Sequence, residues 1–374
     1  MKTFNSGKLS NQSTFKTFEP GNINKQWSID DVELLALLSI ADRQLGRLDM
    51  YSDYIPDIDL FISMHVAKEA TKSSKIEGTK TNLEETLHVK TEISEEKRDD
   101  WDEVQNYILA LNNAINRLDK LPFSTRLIKE THKTLLKGVR GKHKTPGNFR
   151  RSQNWIGGTS INTANFIPPD FNNINSYMSD LEKFAHNENF YFPDLLKIAL
   201  IHYQFETIHP FLDGNGRVGR LMITLYLVEK GILKKPILYL SDFFEKNKSQ
   251  YYSCLTEVRN NNDINSWLKF FLKGVIETAK SGIDTFDGIL KLQKEVDVAI
   301  QALGSRTGKA QMVINQVYKR PFINAKDVAE VTQLSAPSVY KLLVDLERLE
   351  ILEEVTGGKR SRKFVFKKYL DLFR

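Results

Sequence analysis

Residues 209–220 read His-Pro-Phe-Leu-Asp-Gly-Asn-Gly-Arg-Val-Gly-Arg, and they decide how the rest of the chain is read. One imidazole, one carboxylate and two guanidiniums fall within twelve residues, around a glycine-rich turn. Ahead of the turn, Phe192, Leu195, Leu196, Ala199, Leu200 and Tyr203 follow the i, i+3, i+4, i+7, i+8 spacing of an amphipathic helix, with Pro193 in its first turn. Behind it, Val218, Leu221, Met222, Leu225 and Val228 predict a second helix that Gly231 terminates. The stretch is a helix–loop–helix with its chemistry in the loop.

That chemistry follows from the residue types. Gly214 and Gly216 lack a Cβ, so the backbone can bend sharply and approach a ligand. Free N–H groups in the next helix's first turn, reinforced by the helix dipole, favour an anion. Arg217 and Arg220 are i, i+3 neighbours whose forked donors match phosphate oxygens. Asp213 is a hard oxygen ligand of the kind that holds Mg²⁺ against phosphates. His209 stands at the other end of the loop, placed to take a proton from a hydroxyl. A lone histidine is more often structural, and a lone G-x-G is little better than noise. Here the positions are specified jointly, and no Gly-Lys-Ser/Thr follows to make a Walker A loop. The residues describe a phosphate-binding site with a base.

The twelve residues match H-x-F-x-(D/E)-G-N-G-R-x-x-R, and the chain resembles the Fic-domain protein adenylyltransferases, which move AMP from ATP onto a target hydroxyl. The resemblance implies His209 as general base and Asp213 as the magnesium ligand. It implies an anion hole of Asn215 with the Gly214 and Gly216 backbone, and β/γ-phosphate contacts from Arg217 and Arg220. Val218 and Gly219 complete the nucleotide-binding turn. The related kinase branch has Lys where Gly216 stands, so this chain departs from it. Phosphocholine transferases share the fold, which leaves the donor nucleotide open.

Composition sets the outer bounds. At 374 residues the chain holds two or three domains, and 41% hydrophobic with 27% charged residues is an ordinary globular balance. A net charge of +6 permits acidic partners without demanding nucleic acid. The single Cys254 excludes an intramolecular disulfide framework and fits a reducing cytoplasm. No run approaches a membrane span and the N-terminus lacks a signal-peptide core, so a cytoplasmic enzyme with no membrane partner is expected.

In chain order, residues 1–28 are rich in Asn, Ser, Thr and Lys and are expected to be a flexible arm. Helices are predicted over 30–48 and, after a break at Pro56, over 58–74. The second ends in Ser73-Ser-Lys-Ile-Glu77-Gly78, and Thr81 to Glu84 reads as a capping box for the next. Alone, this is a polar helix end closed by glycine. Beside the 209–220 loop, it resembles the family's inhibitory motif (S/T)-x-x-x-E-(G/N), which assigns Ser73 and Glu77 to built-in inhibition and, in some members, gives the glutamate a role in removing AMP. Helical patterns continue over 99–118, 124–138 and 174–186. Between the last two, Trp155, Ile156, Ile161 and Phe166 around Gly157-Gly158 read as a short hairpin. In the family this is the flap that lines the nucleotide site and clamps a target segment by strand addition, which would involve Ile156 and Gly157.

Asn247, Tyr251 and Tyr252 lie where the resemblance places an adenine, and one tyrosine of the pair is expected in the core. Residues 264–303 read as two long helices leading away from the catalytic body. From Thr307 the pattern becomes three helices (311–318, 324–333, 335–349) and a hairpin of 351–355 with 363–366, which looks like a winged helix. Lys341, Lys359, Arg360, Arg362 and Lys363 could contact DNA phosphates, whereas Asp345, Glu347 and Glu350 oppose DNA. The expectation is therefore a mainly α chain: a helical region with the inhibitory helix (29–98), a Fic core with a β-hairpin flap (99–275), a linking helix (276–306) and a C-terminal winged helix (307–374). Its expected activity is AMP transfer from ATP with Mg²⁺ to Ser, Thr or Tyr of a target protein. The alternative is a nucleotide-sensing DNA-binding regulator, and a homodimer is a candidate assembly.

Overall fold

The computed structural model describes residues 4–12, 14–55, 57–138, 143–357 and 362–374. Pro56, Lys359 and Arg360 lie outside the described residues. Two helices make the centre of a mainly α molecule: α8 (Asp194–Ile208) and α9 (Asn215–Glu229). Every residue of α8 from Leu195 to Ile208 is buried, as befits a helix with apolar side chains on all its faces. Around this pair pack α1 (Val32–Asp49), the short α2 (Tyr51–Tyr54), α3 (Asp59–Ile76), α4 (Leu83–Leu87), α5 (Arg98–Arg117), α6 (Thr125–Leu135) and α7 (Ile174–His186). Two further helices, α10 (Ser241–Lys246) and α11 (Lys248–Asn261), follow α9. The boundaries of α5, α6 and α7 lie within a few residues of those that periodicity predicts.

The N-terminal segment is not a loose arm. Strands β1 (Gly7–Asn11) and β2 (Lys16–Pro20) pair antiparallel, and Phe4, Phe18, Ile23 and Trp27 are all buried. Trp27 donates its indole N–H to the Ile23 carbonyl, and Asp180 of α7 accepts from the Ile23 amide at 2.7 Å. Four apolar anchors outweigh the polar composition around them.

Two local readings shift as well. The capping box of α4 is Asn82 with Glu85, one residue beyond the expected Thr81 and Glu84. Either pair satisfies the pattern by type, and Asn is at least as good an N-cap as Thr. The two helices expected over 264–303 are one, α12 (Ile264–Gln301). The expected boundary at 275–276 falls inside it. Its glycines are packing notches rather than breaks: a Cβ on Gly282 would stand 2.9 Å from Leu48 of α1, and one on Gly274 would stand 2.7 Å from the Phe243 ring.

Residues 307–374 form α13 (Thr307–Lys319), β3 (Phe322–Asn324), α14 (Ala325–Thr332), α15 (Ala336–Arg348), β4 (Glu353–Glu354), β5 (Lys363–Val365) and α16 (Lys367–Asp371). The strands make one antiparallel sheet in the order β3-β5-β4. This unit does not stand apart from the rest. Phe61 of α3 meets the Tyr318 ring edge-on at 5.0 Å, His65 meets Phe373, and Arg320 donates to the Leu87 carbonyl at 2.7 Å. No helix among the described residues is long and apolar enough to cross a membrane.

Candidate active site

The loop between α8 and α9 is held at both ends. His209 caps α8 in the left-handed conformation (φ 48°, ψ 60°), which costs a non-glycine residue of order 1–3 kcal/mol unless its surroundings impose it. At the other end Gly214, with φ 77°, turns the chain into α9. Across the middle, the Asn215 side chain accepts from Phe211 N–H at 2.8 Å and donates to the Phe211 carbonyl at 2.9 Å. Asn215 therefore gives the expected anion hole its shape, with the amide committed to the loop's own backbone.

The first-turn N–H groups of α9, from Asn215, Gly216 and Arg217, have no helical acceptor four residues back. Val218 already donates to the Gly214 carbonyl, and its side chain is in the core. Gly219 faces α8, where a Cβ would stand 2.3 Å from a Glu206 oxygen. Both residues serve the α8–α9 contact.

Glu77 reaches this turn from the end of α3. Its Oε1 accepts from Arg220 Nη2 at 2.7 Å, while Arg220 also donates Nε to Ser73 Oγ at 2.9 Å and Nη2 to the Ser73 carbonyl at 2.8 Å. The ion pair is a single bond rather than the bidentate fork that the residue types suggest, and its Nη2 is shared with the Ser73 carbonyl. Burial would push the Glu77 carboxyl up, but the Arg220 charge prevails and holds it below its ordinary value. Arg217 is likewise partnered: Nη1 donates to Glu103 of α5 at 2.9 Å, and both side chains are largely buried.

His209 is half-buried, with its Nδ1 enclosed and without a hydrogen-bond partner. Burial, then the Arg150 charge, push its imidazole down to about 4, so at neutral pH it carries no charge, which is the form a base requires. Glu206, one turn earlier on α8, is the reverse case: burial pushes it up to about 7, and its Oε1 has no partner. Asp213 is 43% exposed and accepts from the Gly214 amide. Among the described residues no three His, Cys, Asp or Glu side chains gather to hold a metal unaided. One exposed carboxylate beside the unpaired first-turn N–H groups of α9 suits a Mg²⁺ whose other ligands come from a nucleotide and water.

Sequence reasoning missed the residues that brace the loop. His132 of α6 accepts from the Gly147 amide at Nδ1 (2.9 Å), which leaves the proton on Nε2 to donate to the Asp213 carbonyl (3.0 Å). Its ring stacks on Phe211 at 3.7 Å. Arg150 donates to carbonyls on the other side of the loop. The Gly147-Asn-Phe-Arg segment carries no sequence signal of where it docks.

At the edges of the site, the flap hairpin contracts to a single bridge, Ile156 with Phe166, after which Gly157 and Gly158 turn with φ 70°. Asn154 ties the flap base to the Phe211 carbonyl, and β2 bonds beside it through Phe18 N–H to the Ile167 carbonyl. Tyr251 is not available to an adenine: it is 1% exposed, and its hydroxyl donates to His202 Nε2 at 2.8 Å. Its neighbour Tyr252 holds the exposed ring. Asn247 sits at the α10–α11 junction, donating to the Phe243 carbonyl.

Comparison with known proteins agrees with this loop and fold. Residues 35–116 match the Fic/DOC family N-terminal region and residues 122–227 match the Fic/DOC family itself, together about half of the sequence. The chain belongs to the Fic/DOC family. It is 29% identical over 270 residues to the protein adenylyltransferase Fic of Drosophila mojavensis, covering 66% of this chain and 47% of that one. With the Drosophila melanogaster protein of the same name it shares 27% over 280 residues, 68% and 51% of the two chains. The chain thus spans about half the length of these curated relatives. A Fic family protein from Desulfovibrio desulfuricans superimposes with a TM-score of 0.56 at 19% identity, covering 91% of this chain and 97% of that one, which shows the shared fold.

Proposed function

We propose that the protein transfers AMP from ATP to a hydroxyl of a target protein and is held back by Glu77. The observation that carries this reading is the Glu77 carboxylate on Arg220 at the N-terminus of α9, where an anion would otherwise bind. In the transfer, the target hydroxyl oxygen bonds to the α-phosphorus, the bond from that phosphorus to its bridging oxygen breaks, and pyrophosphate leaves. The hydroxyl proton passes to the neutral His209. The α9 N–H groups and Arg220 take the phosphate charge that develops. Asp213 is the residue that would hold Mg²⁺, which when bound neutralises charge on the phosphates. Incubation with ATP labelled at the α-phosphate and a cell lysate tests this directly. Labelled protein bands that vanish with His209→Ala support the reading, and bands that persist in the folded variant contradict it.

A second reading attaches to residues 307–374, taken as a winged helix that binds duplex DNA. Two of the acids that oppose it are engaged: Asp345 pairs with Arg306, just ahead of the unit, and Glu347 lies 3.5 Å from Arg362. Lys341 and Arg348 are exposed on α15. Lys341→Ala and Arg348→Ala should each weaken binding to an unselected duplex and reduce the salt slope by about one. Surface substitutions serve better than deletion, because α13 packs on α3. Absence of binding at low salt would leave protein contact as the unit's role.

A further inference from the structure

Arg150 is a buried guanidinium, 2% exposed, that makes no ion pair among the described residues. Each hydrogen bond of its side chain goes to a main-chain carbonyl: Nε to His209 at 3.0 Å, Nη1 to Ser152 at 3.2 Å, and Nη2 to Pro169 at 2.6 Å and Ile208 at 3.5 Å. Its backbone N–H donates to the Pro210 carbonyl at 2.9 Å. One residue thus takes three successive carbonyls, 208 to 210, at the point where α8 ends and the chain turns left-handed. The cost of burial is evident in the guanidinium, which is pushed down to about 10, with Asp170 and Glu19 too remote to bond it.

We propose that Arg150 is the positioning residue for the base. By fixing the Ile208 and His209 carbonyls it imposes the left-handed peptide on which the imidazole rides, and its charge adds to burial in keeping that imidazole unprotonated. Its side chain is committed to main-chain carbonyls and acts through His209. The charged groups around His209 are Arg150, Glu77 and Arg259, with the Glu206 carbonyl beside the ring. Both guanidiniums oppose protonation and Glu77 favours it, so removing Glu77 leaves the direction of the Arg150 effect unchanged.

A merely structural arginine would affect stability and nothing else, which makes the two roles separable. The inference rests on the proposed AMP transfer for its kinetic readout but not for its spectroscopic one. Arg150→Lys and Arg150→Gln are made in a Glu77→Gly background, and the His209 imidazole is titrated by NMR, its signal assigned by loss in His209→Ala. Arg150→Gln should move the His209 midpoint upward, toward the ordinary 6.5, while Arg150→Lys keeps it low. For transfer, kcat should fall roughly 10- to 100-fold in both, the scale of a small misplacement of a catalytic group, with KM for ATP changed less than about threefold. Should Arg150→Gln not fold, Arg150→Lys decides the matter, because its single donor cannot span the carbonyls that the fork spans. A folded variant with kcat within about twofold of the parent and an unmoved His209 midpoint overturns the proposal. If the Glu77→Gly parent transfers no AMP at all, the functional reading has failed instead, and the NMR midpoint still decides the role of Arg150.

Discussion

Glu77 Oε1 lies 2.7 Å from Arg220 Nη2, and a Cβ on Gly216 would stand only 2.3 Å from that same oxygen. The carboxylate therefore covers the first turn of α9 and occupies the guanidinium nearest it. Ser73 completes the arrangement, since its hydroxyl takes Nε of Arg220 and its carbonyl shares Nη2 with Glu77. α3 thereby reaches the first turn of α9 through two residues, four apart and one helical turn from each other.

In the proposed mechanism Arg220 serves both Glu77 and the nucleotide, so its removal should not mimic removal of Glu77. Arg220→Ala is expected to abolish AMP transfer and to weaken ATP binding, even though it also deprives Glu77 of its partner. Calorimetric titration with ATP beside the transfer assay checks this. Transfer in Arg220→Ala equal to or above the parent would mean that the guanidinium does not serve the phosphates.

His132 should matter to the loop out of proportion to its distance from the chemistry. His132→Ala removes a bond to the Asp213 carbonyl, leaves the Gly147 amide without its acceptor and unstacks Phe211. A loss of about 2–4 kcal/mol is expected from one buried network of this kind. Urea unfolding measures it, and a change under about 0.5 kcal/mol would show that the loop holds itself.

Much of this site was legible in the sequence because its chemistry is contiguous: His209, Asp213, Gly214, Arg217 and Arg220 fall in one loop with a helix on either side. The bracing was not legible. Glu103, His132 and Arg150 come from elements tens of residues away, and only tertiary packing brings them to the loop. Tyr251 and Tyr252 were adjacent candidates, and neighbouring positions on a helix point to different faces, which periodicity alone did not resolve here. The N-terminal segment misled for a compositional reason. Phe4, Phe18, Ile23 and Trp27 are spread through polar sequence, too sparse to register as a pattern although every one is buried.

Stability should fall in mild acid. Burial holds His65 and His202 down to about 3, and His132 and His209 down to about 4, against an ordinary 6.5. As pH drops below 6.5 the unfolded chain binds these protons first, so the contribution is complete above 6.5 and is lost progressively toward 4. Glu206, pushed up to about 7 from 4.5, acts oppositely: it adds stability below 4.5 and loses it as pH rises to 7. Asp42, Glu69 and Asp297 are raised by burial as well and His88 is lowered, so five imidazoles stand against four carboxyls and the balance is a net loss on acidification. Tm measured from pH 7.5 to pH 5 should therefore decline, and a flat or rising Tm would contradict the burial of these histidines.

The central claim is that Glu77 restrains a competent transferase, and one comparison tests it most directly. AMP transfer from α-labelled ATP is measured for the parent, Glu77→Gly and Glu77→Gly/His209→Ala, across ATP and Mg²⁺ titrations. Glu77→Gly should exceed the parent by about tenfold or more, equivalent to roughly 1.4 kcal/mol off the barrier. Adding His209→Ala should then reduce transfer by ~10²–10⁴-fold, the range of a general base. A folded Glu77→Gly protein no faster than the parent at every ATP and Mg²⁺ concentration would contradict the account.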